Sequence, residues 1–171
     1  MDNYLKSEIT TEEEREKANE DNNNIRSKKK SSQNDIKLLI KGLSDKNGLA
    51  RRSHAEALAQ VGTEALPALI KALLNSKNVI QRRAAAKTLK LVEDPAALPH
   101  LIKALTNDLD SVVQFSAAGA IAIFGEAAVN HLIIVLENKE HTEMQYGLAA
   151  WCLEFIGAKA PNALKKAAKS K

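Results

Sequence analysis

The sequence predicts an all-α protein, a right-handed α-α superhelix (solenoid) of about four helical hairpins plus a C-terminal half repeat. The main observation is self-similarity, because LPALIKAL at Leu66–Leu73 returns as LPHLIKAL at Leu98–Leu105, with looser copies at Val129–Leu136 and Leu39–Leu43. Self-similarity at a period of roughly 20 to 50 residues is typical of solenoids. The second observation is the composition, which is rich in alanine and leucine and holds only seven glycines and four prolines. Such a composition favours helices.

Four units of 31 or 32 residues align along the chain: Asp35–Ala65, Leu66–Ala97, Leu98–Ala128 and Val129–Ala160, before the half unit PNALKKAAKSK. Each unit opens with an apolar segment of helical spacing, and Pro67 and Pro99 stand where a first helical turn tolerates proline. A polar turn follows, and its Asn, Asp and Ser side chains suit the N-cap of a second helix. We expect one helical hairpin per unit, with the second helices lining the concave side.

Equivalent positions in the second helices form columns that predict the core. Three columns are apolar and one is entirely alanine, which suits helices that approach closely. The columns are Leu49, Ile80, Val112, Met144; Leu58, Leu89, Ile121, Leu153; Val61, Val92, Phe124, Ile156; and Ala55, Ala86, Ala118, Ala150. Gly62, Gly125 and Gly157 follow these helices, where a left-handed C-cap favours glycine, and Glu93 takes that place in the second unit.

Residues 1–34 have few apolar side chains and no sustained helical or strand rhythm. We therefore expect a disordered N-terminal arm before a repeat domain at residues 35–171. No apolar run approaches the roughly 18 to 20 residues of a membrane span, and the acidic N-terminus does not resemble a signal peptide. The single cysteine, Cys152, cannot form an internal disulfide, which agrees with a reducing compartment. A cytoplasmic protein without a membrane span is expected.

The predicted concave surface changes character along the chain. Residues 35–171 carry 18 bases and 13 acids, a modest excess that suits an acidic partner or a carboxylated ligand better than nucleic acid. The exposed second-helix positions are Arg52, Glu56, Ala59; Arg83, Lys87, Lys90; Phe115, Gly119, Ala122; and Gly147, Trp151, Glu154. The first half is basic and the second half aromatic. The alternative is that Trp151 packs against neighbouring helices and that the basic residues form a solvated face.

Two units carry a family resemblance. The segments GLARRSHAEALAQVG and VIQRRAAAKTLKLVE, each after an LIK-type first helix, resemble the short HEAT-like repeats of phycobilisome bilin lyases. Their arginine pairs match the arginine positions of that pattern, whereas the third unit has Gln114 and Phe115 there and the fourth has Tyr146 and Gly147. The segment EMQYGLAAWCLEFIGAKAPNAL resembles the C-terminal part of the small phycoerythrin-type lyase or chaperone subunits of this class.

The resemblance implies a bilin lyase subunit, or a chaperone-like accessory factor, that assists covalent attachment of a linear tetrapyrrole to a cysteine of a phycobiliprotein. It implies a phycobilin as substrate rather than a permanent cofactor, and a phycobiliprotein subunit and a second lyase subunit as partners. The alternative is a non-catalytic HEAT-repeat scaffold for protein interactions. The sequence contains no serine–histidine–acid arrangement, glycine-rich phosphate loop or metal spacing, so it leaves open whether the chain is itself an enzyme.

A tetrapyrrole with two propionates needs aromatic walls for its rings and cations for its carboxylates. On that basis the predicted ligand- or partner-binding residues are Arg52, Arg83, Lys87, Lys90, Phe115, Tyr146 and Trp151. No metal site is expected, because His100 and His131 occupy equivalent positions without an evident third ligand. His54 is expected at the lip of the core, with acid–base chemistry as the alternative. Cys152 is expected to be an inert buried thiol, with transient bilin attachment as the alternative.

Overall fold

The structure, a computed structural model, describes residues 32–159, and every regular element in that range is helical. Residues 32–42 form the first helix, α1. The other α-helices are α2 (Gly48–Val61), α3 (Leu66–Asn75), α4 (Val79–Val92), α5 (Leu98–Asn107), α6 (Ser111–Ile121), α7 (Glu126–Glu137) and α8 (Glu143–Lys159). Short 3₁₀ segments at Gly62–Ala65, Pro95–Ala97 and Ala122–Phe124 lead from a second helix to the next first helix.

The chain divides into two compact units between Lys37 and Leu38, inside α1, and helices α2 to α8 belong to the unit that begins at Leu38. Most of the predicted arm, residues 1–34, lies outside the described residues, but residues 32–34 are helical and belong to α1. The predicted half unit at residues 161–171 also lies outside the described range.

The helices pair as the repeat predicts. Helix α3 packs on α4, α5 on α6 and α7 on α8, which gives one hairpin in each of the second, third and fourth units. The second helices also stack on one another in the order α2, α4, α6 and α8, and the first helices stack in the order α3, α5 and α7. The result is an all-α superhelix of two helical layers with the hydrophobic core between them.

Polar caps determine where the second helices begin. The side-chain oxygens of Asn47, Asn78 and Asp110 each accept a hydrogen bond of 2.9 Å from the backbone N–H two residues further on. These bonds satisfy N–H groups that have no partner within the helix. Pro67 and Pro99 lie in the first turns of α3 and α5, where the missing N–H costs nothing. The predicted turn chemistry is confirmed at each of these positions.

The core follows most of the predicted columns. Leu58, Leu89 and Ile121 are fully buried, and Leu153 is half-buried. In the third apolar column Ile156 is buried and the other members are half-buried. In the alanine column Ala86 and Ala118 are buried, whereas Ala150, on the last described helix, is exposed. Ala86 and Ala118 lie on α4 and α6, the two second helices that have another second helix on either side.

One predicted core column is wrong. Its members, Leu49, Ile80, Val112 and Met144, are exposed by 79, 42, 42 and 46%. Each is the second residue of its helix and stands three residues before Arg52, Arg83, Phe115 or Gly147, the first members of the exposed triplets. Residues three apart share a helix face. The column therefore extends the exposed stripe.

The C-terminal ends of the second helices differ from one another. Gly62 and Gly125 are C-caps with φ angles of +70° and +56°, values that favour glycine. Their ψ angles of −137° and −128° lie outside the left-handed helical region, so the predicted cap positions are confirmed and the predicted cap conformation is wrong. The prediction for Gly157 is wrong, because α8 continues through it to Lys159. Glu93 has φ +54° and ψ +24°, in the left-handed region, and its N–H donates to the carbonyl oxygen of Leu89. A side chain with a Cβ is strained in that conformation.

Glu93→Gly is expected to raise the free energy of unfolding by about 0.5–1 kcal/mol, because glycine adopts the left-handed cap without a Cβ clash. Urea unfolding followed by circular dichroism measures the change. Gly62→Ala is the matched control, because it adds a Cβ at a positive φ and is expected to destabilise the protein. A neutral or destabilising Glu93→Gly beside a destabilising Gly62→Ala would contradict the assigned strain.

One described segment, Gly48–Asn75, is long and apolar enough to cross a membrane by length and composition alone. It is two helices, α2 and α3, and Gly62 interrupts the segment with a φ of +70°. Both helices pack against α4, and a third of the most apolar window is buried. We therefore assign this segment to the helical stack.

Candidate functional site

A basic groove opens between α2 and α4. Its cavity has a volume of about 690 Å³, and the described residues that line it include no carboxylate. Five cationic side chains line it: Arg51, Arg52, Arg83, Lys87 and Lys90. Ile80 and Leu91 add apolar wall. This combination suits a ligand that carries carboxylates on an apolar frame.

The first arginine pair has two different roles. Arg51 donates from Nη1 to the carbonyl oxygens of Asp45 and Lys46, at 2.6 and 3.0 Å, and thereby holds the turn before α2. Arg52 forms an ion pair of 2.7 Å with Glu56, and the two side chains are 77 and 52% exposed. The hydrogen bond and charge of Glu56 raise the pKa of Arg52. Because this pair is in solvent, a ligand carboxylate can replace Glu56 at little cost.

The second arginine pair shows the same division. Arg82 donates to the carbonyl oxygen of Ser76 at 2.9 Å. It also forms a bidentate ion pair with Asp108, at 2.7 and 3.0 Å, that connects the second unit to the turn of the third. Arg83 lines the basic groove. In each pair the first arginine is therefore structural, and the second is available to a ligand.

The pKa of Lys87 reflects its partial burial and the concentration of positive charge in the groove. Partial burial lowers its pKa, and the charges of Arg83, Arg51 and Lys90 lower it further. A lowered pKa means that the protein destabilises the ammonium form. An anion bound in the groove would stabilise that form and raise the pKa again, so the groove is electrostatically prepared for a negative ligand.

An aromatic pocket lies between α6 and α8. Its volume is about 400 Å³, and its lining residues are Phe115, Ala118, Met144, Gly147, Leu148 and Trp151. The side chains of Phe115 and Trp151 remain 58 and 46% exposed. Trp151 also contacts Phe155, at 5.6 Å between ring centres. Trp151 is thus only half covered by its neighbours and offers an open aromatic wall.

Six of the seven predicted binding residues line these two cavities. Tyr146 is the exception, because its hydroxyl donates to the carbonyl oxygen of Asn138 and its ring meets His141 edge-on, with 6.4 Å between centres. Tyr146 precedes Gly147 by one residue, so its side chain leaves the helix about 100° away from the pocket. It holds the turn before α8. Ala122, predicted to be exposed, is buried.

Among the cavity residues that the sequence prediction missed are two large apolar side chains. Ile80 lines the basic groove and Met144 lines the aromatic pocket, although both were assigned to the core. Ile80 stands three residues before Arg83, and Met144 three before Gly147. That spacing was the available signal, since it puts each residue on the exposed face of its helix.

His54 lies against the first helix of its own unit. The Nδ1 atom of His54 lies 2.6 Å from the carbonyl oxygen of Ala50. Its ring lies so close to Gly42 that a Cβ at Gly42 would approach within 2.4 Å of it. His54 is therefore a packing residue between α1 and α2. Within residues 32–159, no group of three or more His, Cys, Asp and Glu side chains could hold a metal ion.

Cys152 is buried, as predicted. It is fully shielded from solvent, its Sγ donates to the carbonyl oxygen of Ala118 at 3.3 Å, and burial raises its pKa to about 12. Burial thus favours the neutral thiol over the thiolate in the folded state. Its contribution to stability is present below pH 9.0, the ordinary thiol pKa, and is lost as the pH rises towards 12.

Iodoacetamide at pH 8 is expected to alkylate Cys152 at least about a hundredfold more slowly in the native protein than in urea, because burial suppresses both access and thiolate formation. Mass spectrometry of timed samples measures the rate, and Cys152→Ser supplies the blank. Equal rates in the native and unfolded protein would contradict burial and would restore Cys152 as an attachment site.

Comparison with known protein families identifies the class of protein. The family of HEAT repeats matches residues 36–122, so the chain belongs to the HEAT-repeat family, as predicted. It is similar to the bilin biosynthesis protein MpeU of Synechococcus sp. (strain WH8020), with 40% identity over 136 residues. The match covers 80% of this chain and 46% of MpeU, so the chain spans about half the length of this curated relative.

Two solved structures share the fold. One is the complex of CpcE and CpcF of phycocyanin lyase from Nostoc sp. PCC7120, with a TM-score of 0.57 and 23% identity over 77% of this chain and 86% of that chain. The other is human deoxyhypusine hydroxylase in complex with glycerol, with a TM-score of 0.55 and 21% identity over 72 and 43%. These similarities confirm the predicted α-solenoid.

Proposed function

We propose that the chain is a bilin lyase subunit or a chaperone-like accessory factor. In this role it holds a linear tetrapyrrole while the tetrapyrrole is attached covalently to a cysteine of a phycobiliprotein. The observation that carries the proposal is the basic groove of α2 and α4 beside the aromatic pocket of α6 and α8 on one layer of second helices. The similarity to a bilin biosynthesis protein supports the same ligand class.

The chemistry of the ligand matches the two cavities. A linear tetrapyrrole is a long conjugated plane with two propionates. Arg83 and Lys87 offer charge-assisted hydrogen bonds to carboxylates, and Phe115 and Trp151 offer aromatic surface to a pyrrole ring. Neither cavity alone offers partners both for the propionates and for the pyrrole rings.

The role of the protein in this reaction is positioning. The described cavity residues include no nucleophile with an adjacent base, and Cys152 is buried. The acceptor thiol then comes from the phycobiliprotein, and the chain lowers the barrier by holding the tetrapyrrole beside that thiol. A second lyase subunit, with a further repeat array, completes the site in this proposal. The cytoplasm is the predicted location.

A non-catalytic interaction scaffold is the second candidate. The observation that favours it is the exposed apolar column, in which Leu49 is 79% exposed and lies outside both cavities. Exposed apolar rows often mark protein contacts. The same row would also serve a lyase subunit, as the docking surface for its protein substrate.

Co-expression separates the two candidates. The chain is produced with a bilin and a phycobiliprotein subunit, with and without the candidate second lyase subunit, and covalent attachment is scored by bilin fluorescence on denaturing gels. The proposal predicts more chromophorylated phycobiliprotein when the chain is present. Unchanged chromophorylation together with stable binding of the apo-phycobiliprotein would support the scaffold instead.

A further inference from the structure

Gly119 lies on α6, which stacks between α4 of the basic groove and α8 of the aromatic pocket. In the repeat its position is equivalent to Lys87 on α4, which lines the basic groove, and to Trp151 on α8, which lines the aromatic pocket. Helix α6 packs against both α4 and α8. A ligand that runs from Lys87 to Trp151 along this row therefore passes over Gly119.

Neither packing nor backbone geometry requires a glycine at this position. A Cβ added to Gly119 would meet no heavy atom within 4 Å. Gly119 is absent from the positive-φ glycines of the described residues, which are Gly62 and Gly125. Gly42 shows the contrast, because its missing Cβ makes room for His54. Glycine is also a poor residue for a helix interior. The destabilisation of α6 by Gly119 is explained if a ligand occupies the space above this residue.

We propose that Gly119 keeps a passage open between the basic groove and the aromatic pocket, so that one extended ligand occupies both. This inference rests on the proposed function. The ligand is the linear tetrapyrrole in an extended form, with its propionates at Arg83 and Lys87 and an end ring between Phe115 and Trp151. Gly119 is thus a specificity-determining residue for ligand length and flatness.

The spacing of the helices explains why length matters. Stacked helices lie about 8–10 Å apart, so the step from α4 to α8 spans roughly 16–20 Å. A compact aromatic molecule reaches the aromatic pocket alone, and a short dicarboxylate reaches the basic groove alone. A long side chain at position 119 would extend between the cavities, because no heavy atom lies within 4 Å of a Cβ at this position.

Gly119→Leu tests the passage, with Gly119→Ala as the matched control. The probes are biliverdin, a linear tetrapyrrole with two propionates, and the short dye anilinonaphthalenesulfonate, and both are titrated into the purified chain and followed by absorbance or fluorescence. Gly119→Leu is expected to weaken biliverdin binding by about tenfold or more and to leave dye binding within about twofold. Gly119→Ala is expected to retain most of the biliverdin affinity.

Both variants are expected to keep or raise the Tm, because leucine and alanine are better helix formers than glycine. Biliverdin binding to Gly119→Leu within twofold of wild type would overturn this inference and leave the proposed function intact. Equal loss of dye and biliverdin would also overturn it, because the pocket itself would then be damaged. Failure of the wild-type chain to bind biliverdin at all would overturn both.

Discussion

Arg82→Ala is expected to lower the free energy of unfolding by about 3 kcal/mol, because it removes one partner of a desolvated ion pair. The side chains of Arg82 and Asp108 are only 13 and 7% exposed, and the pair raises the pKa of Arg82. The substitution also removes the hydrogen bond from Arg82 to the carbonyl oxygen of Ser76. Asp108 retains a bond from the backbone N–H of Asp110, which keeps the loss below that of a fully orphaned charge.

Arg52→Ala is the matched control for this prediction. It removes the same side chain from an ion pair with Glu56 in which both partners are exposed, so no measurable destabilisation is expected. Urea unfolding of the two variants gives the comparison. Equal stabilities would show that the bond between Arg82 and Asp108 does not connect the second and third units energetically.

Arg83→Glu is expected to weaken biliverdin binding by about 10- to 100-fold. The substitution replaces the guanidinium that would bind a propionate of biliverdin with a carboxylate that repels it. Lys87 and Lys90 line the same groove and remain, so some attraction is retained. The loss should be largest at low ionic strength, since salt screens these charges. Absorbance titrations at two salt concentrations measure both effects.

Lys71→Glu makes the same change in net charge on the exposed surface of α3. It lies on a first helix and lines neither cavity, so biliverdin affinity is expected to stay within about twofold of wild type. Equal loss in the two variants would mean that the overall charge of the protein, rather than the groove, attracts the ligand. Unchanged binding in both would remove Arg83 from the site.

The repeat architecture was predictable because its signals are local. Helical spacing, a proline in the first turn and an Asn or Asp cap each depend on residues within one turn of the chain. Asn78 and Pro67 could therefore be assigned without any tertiary information. Six of the seven predicted binding residues line the cavities because most positions that face outward in one unit face outward in the next. Ala122 is an exception, since it is buried whereas the equivalent Lys90 is exposed.

The wrong predictions concern residues whose type or position in the sequence does not decide whether the side chain faces the core, a turn or a cavity. Met144 is apolar whether it fills a core or lines a ligand pocket, and only its spacing from Gly147 distinguishes the two. Tyr146 is next to a pocket residue in sequence but points to the turn before α8. Arg82 and Arg83 are the same type of residue. They point in directions about 100° apart, so Arg82 bonds to Asp108 whereas Arg83 lines the groove.

In the proposed function, the layer of second helices binds a tetrapyrrole by its carboxylates and its rings together. Parallel titrations with biliverdin and its dimethyl ester, in wild type and Trp151→Ala, test it most directly. Wild type is expected to bind biliverdin about tenfold or more tightly than the ester, and Trp151→Ala is expected to weaken binding of both. Equal affinity for acid and ester, with no effect of Trp151→Ala, would contradict it.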